Sequence, residues 1–342
     1  MSKTFSTLDL FESENNYNGY ILGVQGNPLI NNMVMDYLQK DAKIFIFDSN
    51  KDHLRLVESL GGNYININSK TPFSINPFSA INTDDDFREH IDYLIRFLYI
   101  IGVSSENTDD DLNENFRMHI VTALYALWEE KNKKIEITDI WQRLLRQNDK
   151  RLKPYINNLE HFSSEGKYGK FFTGESTFAF GDGLLTAIDL SDLAETKLKA
   201  SIQAAVIIHL YRNFYYDSRQ TVIFINQLKE FVKDLPNAHI LIDPLYREAR
   251  PHYISVVTAI ESIKDLYDGD KISRTGIIIL TNSEWKFFLP QFKIENSAKD
   301  MSDALYMHIS DTEFNLIKSL KYNDAYIKSF ANINGGVLLT IS

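Results

Sequence analysis

Short apolar runs separated by helical patterns extend over most of the chain. Runs of this length, bounded by polar residues, are typical of strands buried inside a parallel sheet. Strands that alternate with helices indicate an α/β fold with a mostly parallel sheet. The predicted strands are Gly19–Val24, Lys43–Asp48, Tyr64–Asn68, Leu184–Leu190, Thr221–Ile225, Ile254–Thr258 and Gly276–Thr281.

The stretch between the third and fourth predicted strands has a helical pattern throughout. Thr83 and Asp86 have the spacing of a capping box before the predicted helix Phe87–Ile101, and Thr108–Asp111 has the same role before Leu112–Lys131. Helical patterns continue over Thr138–Arg146 and Leu152–Phe162. We therefore predict an all-helical insertion over residues 83–163, which separates a first part of the α/β domain (residues 1–82) from a second part (residues 164–342).

The acidic run that begins at Asp109 could also suggest a calcium loop. An EF-hand loop counted from Asp109 needs glycine at its sixth position and glutamate at its twelfth. The chain has Glu114 and Ile120 at these positions, which excludes that motif.

The end of the chain predicts a β-hairpin. Tyr326–Phe330 and Val337–Ile341 are strand-like runs on either side of the turn residues Asn334-Gly335-Gly336. Helices are predicted before it at Leu198–Tyr215 and Thr312–Leu320.

The composition excludes several classes of protein. The 342-residue chain has a net charge of −10, which argues against wrapping duplex DNA by charge alone, although a local basic groove stays open. It has no cysteine, which excludes disulfides, thiolate zinc sites and a cysteine nucleophile. Met1–Tyr20 is polar and acidic, and the apolar run Tyr93–Val103 is short, so we expect neither a signal peptide nor a transmembrane helix.

The strand Thr221–Ile225 ends at two amides, Asn226 and Gln227. In P-loop NTPases the corresponding strand ends in two carboxylates, one in the Mg²⁺ shell and one that polarises the attacking water. An amide has nearly the shape of the acid, but it cannot act as a base and it binds Mg²⁺ weakly. The pattern therefore predicts an ATPase fold with a degenerate Walker B motif.

The first strand is followed by the segment Gln25–Asn32, which we predict to be a loop before a helix from Met33 to Leu38. Strand, loop and helix form the context that a Walker A motif requires. The motif would place its glycines, lysine and hydroxyl residue at Gln25, Ile30, Asn31 and Asn32, and none of these residues matches. Gly26 alone has the residue type of a tight turn. The segment is either a degenerate Walker A loop or an ordinary strand–helix connection.

The segment from Phe45 to Ser79 resembles the TraC-type conjugative ATPases, which are the largest ATPases of type IV secretion systems and are related to the HerA–FtsK motor proteins. In that family a strand ending in aspartate leads to a short helix, a double glycine, a strand and an L-N-P-F/L segment. The matching residues here are Asp48, Gly61, Gly62, Asn76, Pro77 and Phe78.

Later segments extend the resemblance over nearly all of the chain. They include Lys167-Tyr168-Gly169, Asn282-Ser283 and the C-terminal hairpin. The resemblance implies a RecA-like P-loop NTPase domain with a mostly parallel sheet, the helical insertion and the hairpin. It covers the ATPase half of the family, so a split or truncated gene product and a separate paralogue both stay open.

Four further residues carry candidate contacts. Glu261 stands where the family has a sensor glutamine, and a glutamate there would repel the γ-phosphate. Arg247 and Arg250 stand in a segment that lies near a neighbour's nucleotide in the assembled ring of the family. Their spacing would place them on one helical face as a clamp for an anion, unless they pair with nearby acids such as Asp243. Lys286 matches a family lysine and is either a ligand contact or a surface residue.

The resemblance and the departures together predict a catalytically degenerate, non-catalytic component of conjugative DNA or protein transfer. The alternative is an active ATPase with an unusual site, for which Lys40 and Lys43 are the nearest substitute cations in sequence. A third, weaker interpretation is an inert relic of a mobile element.

The resemblance also implies the surroundings of the protein. We expect no bound cofactor, with ATP and Mg²⁺ as the ligands if any nucleotide binding is retained. The implied partners are subunits of the type IV secretion apparatus and further copies or an active homologue in an oligomer, while direct contact with nucleic acid stays open. The implied location is the cytoplasm, with peripheral association at the inner face of the bacterial inner membrane.

Overall fold

The structure is a computed structural model. It describes residues 9–24, 26–68, 70, 73–79, 81–103, 110–131, 134–180, 182–216, 218–235, 237–291, 295–329 and 336–341, with the backbone alone for 110–113 and 212–216.

A nine-stranded sheet forms the centre of the described chain, in the order β11-β10-β9-β1-β6-β5-β2-β4-β3. The seven strands from β9 to β3 are parallel, and β10 and β11 add an antiparallel hairpin at one edge. The strands are β1 Gly19–Leu22, β2 Lys43–Phe47, β3 Asn63–Asn66, β4 Leu185–Asp189, β5 Thr221–Ile225, β6 Ile254–Ile260, the two short strands β7 Tyr267–Asp268 and β8 Lys271–Ile272 of a separate hairpin, β9 Trp285–Phe288, β10 Asp324–Ser329 and β11 Val337–Thr340.

Helices cover both faces of the sheet. They are α1 Gly26–Gln39, α2 Leu54–Ser59, α3 Asp84–Gly102, α4 Asp110–Glu130, α5 Ile137–Arg146, α6 Lys153–Glu160, α7 Gly169–Phe172, α8 Thr196–Tyr216, α9 Leu228–Val232, α10 His239–Arg247, α11 Arg274–Thr281, α12 Ala298–Leu305 and α13 Asp311–Ser319. Helices α1 and α2 share a core with one face of the sheet, and α3 to α13 share a larger core with the other face. The predicted α/β class with a mostly parallel sheet and a C-terminal hairpin is therefore confirmed.

The helices between β3 and β4 pack directly on the rest of the domain. The ring of Tyr93 on α3 stacks on that of Tyr211 on α8, with centroids 4.4 Å apart. Arg96 on the same helix donates through Nη1 to the carbonyl oxygen of Ile240, at 2.8 Å. The region predicted as an insertion thus shares its hydrophobic core with one face of the sheet.

Local signals in the sequence explain where several helices begin and end. Thr83 caps α3 through a capping box with Asp86, as its spacing predicts. Gly61 follows α2 with φ of 69°, a left-handed conformation that favours glycine. The N–H of Gly61 donates to Glu58 O and that of Gly62 to Val57 O, which is the Schellman pattern at a helix end. The predicted cap at Thr108 and the turn Asn334-Gly335 lie outside the described residues.

Two predicted elements are wrong. Gly276–Thr281 is part of helix α11, because Ser273 caps that helix by accepting from the N–H of Gly276. The predicted loop Gln25–Asn32 is helical from Gly26 onward. Gln25 itself lies outside the described residues.

Candidate functional site

The carboxyl ends of four neighbouring strands meet at one edge of the sheet, which we call the carboxyl edge. In the order β1, β6, β5, β2, these strands are followed by Gly23, Glu261, Asn226 and Asp48. Open parallel sheets bind ligands at this edge, in the crevice beyond the strand ends. The predicted Walker A, Walker B and sensor positions therefore come together in space.

The connection between β1 and α1 is very short. The strand ends at Leu22 and the helix begins at Gly26. The N–H of Gly23 donates to Ile260 O at 2.9 Å, and that of Val24 donates to Pro290 O at 3.0 Å. Both donors are therefore used by the protein backbone. A loop that cradles phosphate instead turns successive N–H groups toward the ligand.

Gly23 adopts a backbone conformation that fixes this connection. Its φ is 131°, and a Cβ atom at this position would lie 2.8 Å from the carbonyl oxygens of Leu289 and Pro290. The turn after β1 is thus packed closely against the segment that follows β9, with no room for a larger residue.

Of the predicted Walker A positions, Ile30, Asn31 and Asn32 lie inside α1 rather than in a loop. Ile30 is fully buried in the core beneath the helix. The side chain of Asn31 accepts from His53, with 2.9 Å between Oδ1 and Nδ1. Asn32 is half-buried, and Pro28, in the first turn, has no N–H. The sequence from Gly19 to Gln39 contains neither lysine nor arginine, so no side chain of this segment can neutralise a phosphate.

The two amides after β5 both donate hydrogen bonds to the carboxylate of Asp52. Asn226 is 1% exposed, and its Nδ2 donates to Asp52 Oδ2 at 3.3 Å. Nε2 of Gln227 donates to the same oxygen at 3.2 Å, and its backbone is left-handed with φ of 58°. The edge therefore offers Mg²⁺ two amides already bound to an acid. Among the described residues, no group of three or more His, Cys, Asp or Glu side chains could hold a metal ion.

Glu261 follows β6 directly and is exposed at the same edge. Its neighbour Ser262 caps the 3-10 turn Ile263–Leu266 through a capping box with Asp265. The structure thus places a carboxylate, and no cation, at the sensor position.

The proposed substitute cations do not reach this site, so that part of the prediction is corrected. Lys40 lies just past the far end of α1, where its ammonium pairs with Asp9 at 2.8 Å. Lys43 is the first residue of β2, so it lies at the amino-terminal ends of the parallel strands, opposite the carboxyl edge. Helix α1 has 14 residues, so about 20 Å of helix separates its two ends.

Arg247 and Arg250 lie on two separate elements rather than on one helix, and Arg247 makes the pairing with Asp243 that was the alternative to a clamp. Arg247 is the last residue of α10, and its Nε bonds Asp243 Oδ1 at 2.5 Å. Arg250 begins a separate 3-10 turn, Arg250–His252. Both are exposed and both lie near the start of β6, across the sheet from the carboxyl edge. They cannot reach a ligand bound at that edge of their own chain.

Lys286 is buried inside the protein rather than placed at a surface. It is 1% exposed on β9, and its Nζ donates to the carbonyl oxygens of Ser283 at 2.8 Å and Glu284 at 3.0 Å. Burial lowers the pKa of Lys286 to about 8. Its ammonium therefore bonds backbone carbonyls near the start of β9, away from the carboxyl edge.

Sequence reasoning named Asp48 only as a family match and missed Asp52 and His53, which lie between β2 and α2 and help to organise this edge. Asp48 is 1% exposed and accepts from the N–H groups of Asp52 at 3.1 Å and His53 at 3.0 Å. His53 is fully buried, and its Nε2 has no hydrogen-bond partner. Burial lowers the pKa of His53, although Asp48 and Asp52 attract its proton. The signal that could have identified them is their position directly after a strand at the carboxyl edge.

None of the described helices has the length and apolar character needed to cross a membrane.

Comparison with known proteins identifies related chains. No family model matches the chain. Over 295 residues it is 24% identical to protein TraC of Escherichia coli strain K12, which covers 81% of this chain and 32% of TraC. The chain thus spans about a third of the length of this curated relative.

Solved structures with the same fold include VirB4 of Thermoanaerobacter pseudethanolicus. It has a TM-score of 0.73 and 17% identity, with 98% of this chain and 92% of that one covered. The plasmid coupling protein TrwB, solved in complex with the ATP analogue ADPNP, has a TM-score of 0.63 and 12% identity, with 95% and 85% covered. The resemblance to TraC-type conjugative ATPases is therefore confirmed, since the chain is similar to TraC in sequence over most of its length and shares the P-loop NTPase fold of VirB4 and TrwB.

Proposed function

We propose that this chain is a catalytically degenerate ATPase module that acts as a non-catalytic assembly or regulatory component of conjugative type IV secretion. The observation that carries the proposal is the connection between β1 and α1. It is short, Gly23 and Val24 use their N–H groups on backbone carbonyls, and Ile30, Asn31 and Asn32 lie in a helix that contains neither lysine nor arginine. Such a connection lacks the free backbone N–H groups and the cation with which a phosphate loop binds phosphate.

The remaining catalytic positions support the same conclusion. Asn226 and Gln227 lack the carboxylates that hold Mg²⁺ and orient water, and Glu261 adds a negative charge beside the place of the phosphates. Removing one electrostatic contact in a catalytic site typically costs about 3–4 kcal/mol of transition-state stabilisation. Losing several leaves little catalysis, even though such losses do not add.

Kinship supports the assignment to conjugation and secretion. The chain is similar to TraC in sequence and to VirB4 in fold, and it also shares the fold of TrwB, a plasmid coupling protein. TrwB has been solved with ADPNP and with ADP and Mg²⁺. The residues at the carboxyl edge of the present chain do not fit these ligands, so we propose that it works without nucleotide or metal.

Subunits of the type IV secretion apparatus are the proposed partners, including further copies or an active homologue. In this arrangement the chain is cytoplasmic and associates peripherally with the inner membrane. Arg247 and Arg250 lie across the sheet from the carboxyl edge of their own chain, so any nucleotide that they contact belongs to a neighbour.

Nucleotide binding by the purified chain tests the loss of catalysis. We expect no heat of binding in calorimetry with millimolar ATP, with or without Mg²⁺, and no shift of the thermal unfolding temperature. A cooperative unfolding transition in the same samples shows that the chain is folded. Saturable binding followed by Mg²⁺-dependent hydrolysis would contradict the proposal.

A second experiment tests the role beside an active homologue. The chain is added to a catalytically active TraC-type ATPase, and the ATP hydrolysis rate of that enzyme is measured. We expect the rate to change on addition, and the change to be lost with the Arg247→Ala/Arg250→Ala double variant.

A matched control is available on the surface of the helical region. Arg88 and Arg117 are exposed arginines that pair with acids on their own helices. The Arg88→Ala/Arg117→Ala variant should behave like the wild type. Equal loss with both double variants would reject a specific role for Arg247 and Arg250.

A further inference from the structure

The turn between β2 and α2, residues 48–53, is bonded at the carboxyl edge to β3, to the loop after β4, to the residues after β5 and to α1. We call this segment the β2–α2 turn. The carboxylate of Asp48 bonds the N–H groups of Asp52 and His53, which shapes the turn from within. The ammonium of Lys51 bonds both carboxylate oxygens of Asp192 in the loop after β4, at 2.9 and 3.0 Å. Tyr64 on β3 donates to Asp48 Oδ2 at 3.1 Å.

On the side of β5, the turn is held by both Walker B positions. Asp52 Oδ2 accepts from the amides of Asn226 and Gln227. Asn50 Nδ2 donates to Oε1 of Gln227, and Ser49 Oγ donates to the carbonyl oxygen of Asn226 at 3.4 Å. Gln227 therefore uses both ends of its side-chain amide on this one turn.

On the side of α1, the turn is held by a Walker A position. Nδ1 of His53 lies 2.9 Å from Oδ1 of Asn31. Because an amide oxygen only accepts, Nδ1 carries the proton and the imidazole is the donor. The same turn thus connects Asn31 on α1 with Asn226 and Gln227 after β5.

In a nucleotide-driven ATPase, the phosphates and Mg²⁺ connect the phosphate loop with the acids after the Walker B strand. Here side chains of the protein make the equivalent connection. We propose that the β2–α2 turn takes the place of a nucleotide and holds α1, β5 and the strands beside them in one conformation that no nucleotide changes. This inference rests on the proposed function and explains how a subunit without nucleotide keeps an ordered carboxyl edge.

Under this proposal the amides of Asn226 and Gln227 stabilise the turn by donating hydrogen bonds to it. Each amide donates a hydrogen to Asp52, within 3.3 Å. A carboxylate at either position could not donate, and it would repel Asp52 at the same distance. Restoring the family residues should therefore release the turn rather than recover catalysis.

Hydrogen exchange of the backbone, measured by mass spectrometry without nucleotide, tests the turn. Gln227→Glu should speed exchange in the peptide containing residues 48–60 by about tenfold, which corresponds to about 1.4 kcal/mol. Asp52→Asn in the same chain removes the repulsion, and the Gln227→Glu/Asp52→Asn double variant should return toward the wild-type rate. Asn50→Ala, which removes a single hydrogen bond, should produce a smaller increase.

Two controls distinguish faster exchange confined to the β2–α2 turn from faster exchange throughout the protein. Gln39→Glu makes the same amide-to-acid change at the exposed far end of α1 and should leave the turn unchanged. Exchange in the β5 peptide should also remain slow in every variant, because that strand is fully buried between two neighbours. An unchanged turn in Gln227→Glu, or no recovery in the double variant, would overturn the proposal.

Added nucleotide gives the remaining test. Millimolar ATP with Mg²⁺ should not alter exchange of the wild-type turn, and a nucleotide-dependent change would overturn the inference. ATP hydrolysis by the wild type would instead reject the proposed function. The Gln227→Glu and Asp52→Asn variants are measured without nucleotide, so their exchange rates test the contacts of the turn independently of any ATP hydrolysis.

Discussion

Replacing Ile30 with glycine tests whether α1 begins before the Walker A positions. In a phosphate loop, position 30 would be a glycine close to the ligand, and Ile30→Gly would be well tolerated. In the structure, Ile30 is the fifth residue of α1 and is fully buried in the core between that helix and the sheet. The two arrangements therefore predict opposite effects on stability.

The expected cost follows from two contributions. Truncating a buried isoleucine to alanine typically costs about 2–5 kcal/mol, since the cavity left behind closes only in part. Going from alanine to glycine within a helix adds about 1 kcal/mol of backbone entropy. We expect Ile30→Gly to lower the free energy of unfolding by about 3–6 kcal/mol, a large share of the roughly 5–15 kcal/mol of an ordinary domain.

Urea denaturation followed by circular dichroism measures this loss, with the slope of the transition compared between variants. Met35→Gly is the matched control, because Met35 lies on the same helix with 39% of its surface exposed. Its expected cost is about 1 kcal/mol, the helix contribution alone. If Ile30→Gly costs no more than Met35→Gly, residues 26–32 do not form the buried first turns of α1 and the central support for the proposed function is lost.

Three further predictions concern the turn after β1 and the dependence of stability on pH. Gly23→Ala should cost about 1–3 kcal/mol in thermal unfolding, because the new Cβ would press on two backbone carbonyls at a φ of 131°, whereas Gly183→Ala, with open space around it, should stay within about 0.5 kcal/mol. Burial lowers the pKa of His53 below 6.5, so as the pH falls the unfolded chain takes up a proton on this residue before the folded chain does. The free energy of unfolding should therefore decrease as the pH drops below 6.5. This decrease should be missing in His53→Gln. Burial opposes ionisation of Glu313, but hydrogen bonds led by that of Lys328 lower its pKa to about 2. The ionised carboxylate therefore stabilises the fold above pH 4.5, and this stabilisation is lost as the pH falls from 4.5 to 2. Glu313→Gln should make the free energy of unfolding less dependent on pH in that range, and an unchanged dependence would reject the assignment.

The amino-acid sequence by itself determined the elements whose signals are local. The buried strand Thr221–Ile225 follows from an uninterrupted run of β-prone residues, and it lies at the interior of the sheet as predicted. Thr83 caps α3 and Gly61 ends α2, because both signals act within a single turn of backbone. The residue types at the Walker positions also predict a degenerate site, since Asn226 and Gln227 have no acidic group.

Tertiary packing decided the elements whose local signals were ambiguous. Gly276–Thr281 is rich in β-branched residues, yet it is helical in α11, where Ile277 faces solvent while Ile278 and Ile279 are buried. The segment Gly26–Asn32 has weak helix formers and a proline, but burial of Leu29 and Ile30 against the sheet stabilises it as a helix.

Only the three-dimensional arrangement could show what the candidate residues contact. The ammonium of Lys286 is buried on backbone carbonyls, and Arg247 and Arg250 lie across the sheet from the carboxyl edge. The sequence gives no motif that marks Asp52 and His53 as functional, but the parallel pairing of β5 with β2 brings this turn beside Gln227. Sequence patterns report on neighbours along the chain, whereas hydrogen bonds at this sheet edge join residues as far as 175 positions apart, and only the fold fixes those distances.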